Sequence, residues 1–262
     1  MSGIGDKLRH YEGVAKVYDE FRPAYPTAFL ARLGEALTSE PPVGGAVYDI
    51  GAGTGIFTRQ LRALLPAAMP IVGIEPASDM REHAAKTAAE LPNISFVDGA
   101  AEHLSAADGA ARAVLAATAA HWFARPRFYS EAARVLRPGG VLAIVHYFRD
   151  KDRSPIVQDF LAFLLDNGAR RPPKRPDYVA ELDARPEFGE VERVTDPQDL
   201  PLSFAQFVGL ALSSPTTRDV VDQLGQDKVE DALYAIARRH AVGEDRLAYG
   251  FVFEYFLTRR VS

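Results

Sequence analysis

The side chains best placed to do chemistry surround one stretch, Val47-Tyr48-Asp49-Ile50-Gly51-Ala52-Gly53-Thr54-Gly55-Ile56-Phe57. Its apolar start predicts a short buried strand that runs into a glycine turn, with a helix directly behind. Glycines at 51, 53 and 55 let the backbone turn sharply and keep Cβ atoms away from a ligand. The helix aims its free N–H groups and positive dipole end at that turn. Asp49 ends the strand, placed to accept hydrogen bonds from a cationic or amino-bearing ligand. A second apolar run, Ile71-Val72-Gly73-Ile74, ends in Glu75 at a distance that fits one βαβ unit. A carboxylate at that strand tip can take both hydroxyls of a ribose. The pocket is of nucleotide type. A dinucleotide fingerprint would carry glycine where Ile56 stands, and no Lys follows to make a P-loop.

The tighter G-x-G-x-G spacing after an acid resembles motif I of the class I S-adenosylmethionine (SAM)-dependent methyltransferases. That resemblance implies SAM as cofactor. Its amino-acid end would lie against Asp49, Gly51, Ala52, Gly53, Thr54 and Gly55, its ribose on Glu75, with Pro76 and Met80 alongside. Upstream, the pattern A-x-x-Y-D-x-x-R-P-x-Y-P over residues 15–26 looks like the amino-terminal cap of the type-11 methyltransferase group, which includes trans-aconitate and quinone-pathway methyltransferases. In that resemblance Tyr18 and Arg22 close over the cofactor, with Arg22 near the methionine carboxylate. Many relatives carry G-D-A-E where this chain has Gly99-Ala100-Ala101-Glu102, so the usual adenine acceptor is replaced by Ala100. Adenine would then rely on backbone groups near Ala101 and on Asp98 or Glu102. His121-Trp122-Phe123, followed by Glu131-Ala132 and Arg134-Val135-Leu136-Arg137-Pro138-Gly139-Gly140, is similar to the same group. There, Thr118 and Trp122 border cofactor and substrate. His121, His146 and Tyr147 are the candidates for a base, should the acceptor need one.

These residues need a frame to hold them. Apolar runs predict strands at 47–50, 71–74, 94–98, 112–118, 141–148, 188–196 and 247–258. Helical spacing predicts helices after Pro26, over 57–65, over 78–91 with Ser78 as N-cap, around 128–136, and over 155–166, 203–212 and 226–242. The frame is α/β: a doubly wound, Rossmann-like, seven-stranded sheet, mostly parallel, with its last strand as an antiparallel edge. Helical insertions form a substrate lid. Residues 1–40 read as cap helices, 41–150 as the SAM-binding core, and 151–262 as the rest of the same domain.

Composition narrows the classes. The 262 residues carry net charge −5 with a quarter of them charged, so no general polyanion-binding character appears, and nucleic acid is not expected as a partner. There is no Cys, which excludes disulfides and thiolate metal sites. The six histidines lack ligand spacing, so no metal is expected. No apolar run reaches membrane length, and Met1 to Tyr18 has no apolar signal region. A soluble cytoplasmic protein acting on a small molecule is expected, as monomer or homodimer. The basic run 170–176 could attract an anionic substrate. Two other classes share the strand–turn–acid geometry: a nicotinamide (NAD) dehydrogenase, and a SAM binder or cyclase that transfers no methyl.

Overall fold

The computed structural model describes residues 15–39, 44–171 and 174–261. Tyr11 to Val14 of the cap stretch, and Pro172 and Pro173 of the basic run, lie outside them. The elements follow as α1 (Ala15–Phe21), α2 (Thr27–Thr38), β1 (Ala46–Ile50), α3 (Ile56–Leu64), β2 (Ile71–Ile74) and α4 (Ser78–Thr87). Next come β3 (Ile94–Val97), β4 (Ala111–Ala117), α5 (Arg125–Val135), β5 (Leu136–Arg149), α6 (Pro155–Asp166) and α7 (Tyr178–Asp183). The chain ends with β6 (Glu192–Ser203), α8 (Phe204–Leu212), α9 (Pro215–Leu224), α10 (Gln226–Arg239) and β7 (Arg246–Arg259).

All seven strands form one sheet in the order β3-β2-β1-β4-β5-β7-β6. β1 to β5 pair in parallel, and β7 runs antiparallel to both β5 and β6. The central strands are buried on both faces because helices cover both, which is why they read as continuous apolar runs. Alternation still sorts their side chains. Leu115, Ala143 and Val145 join Leu33, Leu61 and Phe160 in one core, while Val114, Leu142 and Ile144 join Phe128, Ala132 and Leu182 in the other.

Several expected boundaries shift. β7 is antiparallel as expected, but it lies inside the sheet, and the edge belongs to β6. β6 starts later than expected and runs on to Ser203, past Pro197 and Pro201, which an edge strand tolerates. Ser78 does not cap α4. Ala77 holds the N-cap position, and its N–H goes to Glu75 instead. α4 stops at Thr87, not Leu91, as the chain tightens into turns before Pro92. α7 and α9 went unpredicted, although Asp177 caps the first through Ala180 N–H and Pro215 opens the second.

Gly73 marks how closely β2 meets its neighbours, since a Cβ there would fall on the Phe96 ring and 3.1 Å from Ala52 Cβ. Gly73→Ala should cost about 1–3 kcal/mol of stability by overpacking. Urea denaturation measures it, and an unchanged midpoint would contradict the packing described.

Candidate functional site

The strand order reverses between β1 and β4, where doubly wound sheets open a crevice at their carboxyl edge. A cleft lies there, with about 1290 Å3 between its walls, open solvent at the mouth included. Its floor is the glycine turn. Gly51 and Ala52 donate their N–H groups to Ile74 O at 2.8 and 3.1 Å, and Gly55 donates to Ala52 O at 2.9 Å. Gly53 N–H donates to Glu75 Oε2 at 2.8 Å, while Ala77 N–H donates to Glu75 Oε1 at 2.9 Å. The turn is thereby tied to the tip of β2 by one buried carboxylate. Burial pushes the Glu75 carboxyl up from the usual range, against the pull of those two N–H groups.

Gly51, Gly53 and Gly55 have φ of +69°, +55° and +79°, in the region where a side chain is strained. Their surroundings differ. A Cβ on Gly51 would stand 2.6 Å from Ala119 Cβ, and one on Gly55 would press on Phe96 and Ala84, whereas Gly53 faces open space. Gly51, Ala52, Gly53 and Thr54 line the cleft, and Gly55 instead packs under it at the start of α3.

Asp49 was expected to meet a ligand directly. The structure buries it completely, one layer beneath the cleft wall. Oδ2 accepts the Thr58 hydroxyl at 2.6 Å, and Oδ1 has no hydrogen-bond partner among the described residues. Burial raises its pKa to about 7, with the neighbouring Glu75 adding to the rise. A buried carboxylate with one oxygen unsatisfied fits a cationic amino group, directly or through water.

Beyond Glu75, Pro76, Met80, Ala100, Ala101 and Glu102 line one end of the cleft. Glu102 also accepts Ala124 N–H at 2.6 Å. Asp98 is exposed beside Arg81 and lies off the cleft. Tyr18 and Arg22 close the opposite side, with the Arg22 guanidinium 4.7 Å from the Tyr18 ring centre. α1 is fastened there by Asp19, which accepts from Arg59 at 2.7 Å, and Arg59 also holds Thr54 O at 2.7 Å.

At the far end, Thr118, Trp122 and Tyr147 line the cleft, but His121 and His146 do not. His121 is exposed, with its ring against Trp122. His146 lies on the other sheet face, as the two-residue period of a strand requires once Tyr147 faces the cleft. Its Nε2 meets Glu254 Oε2 at 2.8 Å, and Arg193 holds Oε1 at 2.5 Å. Against the upward push of burial, those bonds keep the Glu254 carboxyl down at about 2. Lys174, Arg175 and Pro176 of the basic run line this second hollow. Arg175 stacks 3.5 Å over Phe148 and stands 3.9 Å from Glu254, so the run does not flank the cleft.

The sequence reading missed Tyr25, Phe57 and Phe123 as cleft walls. Tyr25 lay within the quoted cap pattern, and that was the signal available. Among the described residues no group of three acids or histidines is placed to hold a metal, and no helix is long and apolar enough to cross a membrane.

Residues 48–144 match the family model of a methyltransferase domain. An uncharacterized methyltransferase of Mycobacterium tuberculosis is 35% identical over 134 residues, which are 51% of this chain and 50% of that protein. The chain thus spans about half the length of the curated relatives it matches. A candidate type II methyltransferase from Anaeromyxobacter dehalogenans superposes with a TM-score of 0.67 at 23% identity, over 92% of this chain and 98% of that one. The cyclase SpnF superposes at 0.55 with 20% identity, over 97% and 96%. These likenesses show the fold. The family model thus marks a methyltransferase domain at residues 48–144, set in a Rossmann-like sheet of the kind that these solved structures share.

Asp49 gives the site a pH signature. Its folded pKa of about 7 stands above the unfolded value, so the folded chain holds an extra proton in between. The stability tied to that proton is full below about pH 4 and is lost as pH rises through about 7. Asp49→Asn should flatten the fall in melting temperature across that window. Equal slopes in variant and parent would contradict the burial assigned to Asp49.

Proposed function

We propose that the protein is a SAM-dependent methyltransferase that methylates a small molecule at oxygen, carbon or nitrogen. The observation that carries this reading is the pair of buried acids, Asp49 and Glu75, on either side of the glycine turn. Glu75 would serve the ribose of either cofactor, but a pyrophosphate at that turn would lie over the buried Asp49 carboxyl, whereas an amino-acid tail would bring an ammonium to it and favour its ionised form. Ile56 lines the cleft where the dinucleotide pattern needs glycine. In this reading Glu75 takes the ribose hydroxyls, its two oxygens having lone pairs beyond those used by Gly53 and Ala77. Pro76, Met80, Ala100, Ala101 and Glu102 surround the adenine. Arg22 meets the tail carboxylate, and Tyr18 covers it.

The bound cofactor supplies an already activated sulfonium methyl. What remains for the chain is orientation and exclusion of water, and orientation is worth up to about 7–11 kcal/mol in the best intramolecular cases. Tyr147 and Trp122 form the wall toward the acceptor. Among the described residues no imidazole lines the cleft, so this reading assigns proton removal to none of them and rests on alignment.

Calorimetric titration tests it. S-adenosylhomocysteine should bind and NAD should not. Asp49→Ala, still folded by circular dichroism, should lose at least about tenfold in S-adenosylhomocysteine affinity, the scale of a hydrogen bond to a charged group. Tight NAD binding without S-adenosylhomocysteine binding would end the reading. Methyl uptake in a screen of carboxylic acids and phenols then separates a transferase from a cyclase-like binder.

A further inference from the structure

Tyr25 has no role in the reading above, yet few side chains are fixed so firmly. Its backbone N–H donates to Gln60 Oε1 at 3.0 Å, and its carbonyl accepts from Gln60 Nε2 at 2.8 Å. Around its ring stand Phe57 and Tyr147 edge-on at 5.4 and 5.6 Å, Phe253 at 6.0 Å and Phe29 stacked at 6.4 Å. Its hydroxyl lies 2.5 Å from Thr118 Oγ1. Burial raises the Tyr25 phenol far above its ordinary pKa, so it stays a neutral O–H.

Thr118 is as unusual. It directly follows β4 with φ of +53°, a conformation that strains a β-branched residue and recurs at functional sites. Thr118 N–H is held by Val145 O at 2.7 Å, and the residue lines the cleft. Its neighbour Ala119 is the atom group against which Gly51, first of the turn glycines, is packed. Thr118 therefore stands beside the part of the turn assigned to the amino-acid tail.

The direction of the hydrogen bond follows from the surroundings. Among the described residues Thr118 Oγ1 is the hydrogen-bond partner found for the Tyr25 hydroxyl, and a buried O–H without an acceptor is costly. The direction that gives the phenol its acceptor has Tyr25 donating and Thr118 accepting. The Thr118 hydrogen is then free to turn toward the cleft as a donor.

Resting on the SAM reading, we propose that Tyr25 is a positioning residue that fixes the Thr118 hydroxyl as a donor to the carboxylate of the bound amino-acid tail. Thr118 and Arg22 then address the same carboxylate from β4 and from the segment following α1.

The test is calorimetric binding of S-adenosylhomocysteine and of 5′-methylthioadenosine, which lacks the tail, to the parent chain, Tyr25→Phe, Thr118→Val and the double variant. Tyr25→Phe keeps the ring and removes only the hydroxyl. Thr118→Val should weaken S-adenosylhomocysteine binding about tenfold or more, the scale of a hydrogen bond to a charged group, and Tyr25→Phe roughly three- to tenfold. The double variant should be no weaker than Thr118→Val, and 5′-methylthioadenosine should bind all four proteins alike. A structural role alone would not separate the two ligands. Unchanged S-adenosylhomocysteine affinity in Tyr25→Phe, additive losses in the double variant, or equal loss for both ligands would each overturn the proposal and leave the functional reading standing. If the parent chain bound no S-adenosylhomocysteine, both would fall. Should Tyr25→Phe fail to fold, Thr118→Val that bound S-adenosylhomocysteine as tightly as the parent would still overturn the proposal, since Tyr25 would then have no donor to position.

Discussion

The site depends on one carboxylate. Glu75 leaves the tip of β2 and accepts N–H groups from Gly53 and Ala77, so it ties the glycine turn to the start of the next helix. An acid in that place is buried at a desolvation cost, and the two N–H bonds offset it by satisfying groups that a tight turn and a helix start leave open. Everything else in the cleft is set relative to this clasp. The turn it shapes puts Gly51 on Ala119, and through Ala119 fixes the end of β4. Behind the turn, Arg59 carries the same order outward to Asp19 and the covering helix α1.

A second constraint is the alternation of β5. Tyr147 faces the cleft beside Tyr25 and packs on Phe253, which commits His146 to the opposite face with Tyr178 and Phe256. There it joins Arg193 and Thr195, both exposed, in a network on the buried Glu254 carboxylate. A carboxylate buried in this way is stable only when it is paired, and here the bonds from His146 and Arg193 keep Glu254 ionised. The network fastens β5, β7 and β6 together, and that is a task of architecture.

Much of the fold could be read from the chain because its central strands are short apolar runs ending in glycine or acid, and both features have local causes. The turn at 51–55 and Glu75 were legible for that reason. What escaped depends on long-range neighbours. The position of β7 inside the sheet follows from its pairing with both β5 and β6, which no local pattern reports. His146 looked like a cleft residue because it sits near the carboxyl end of a strand, but which face it takes is set by the partners of Tyr147. Asp49 was recognised by its place and mistaken in its depth, since burial depends on the helix packed above it. Tyr25 was visible only as part of a pattern, and its meaning comes from Thr118, 93 residues on.

The central claim is that a ligand with an adenosyl group and an amino-acid tail lies across the tips of β1 and β2. Hydrogen–deuterium exchange with and without S-adenosylhomocysteine measures this most directly. The account predicts slowed exchange in 49–57 and 74–80, together with the covering helix 15–21, and no change in 174–196. Slowed exchange around Arg175 and Arg193 with none at the glycine turn would contradict it.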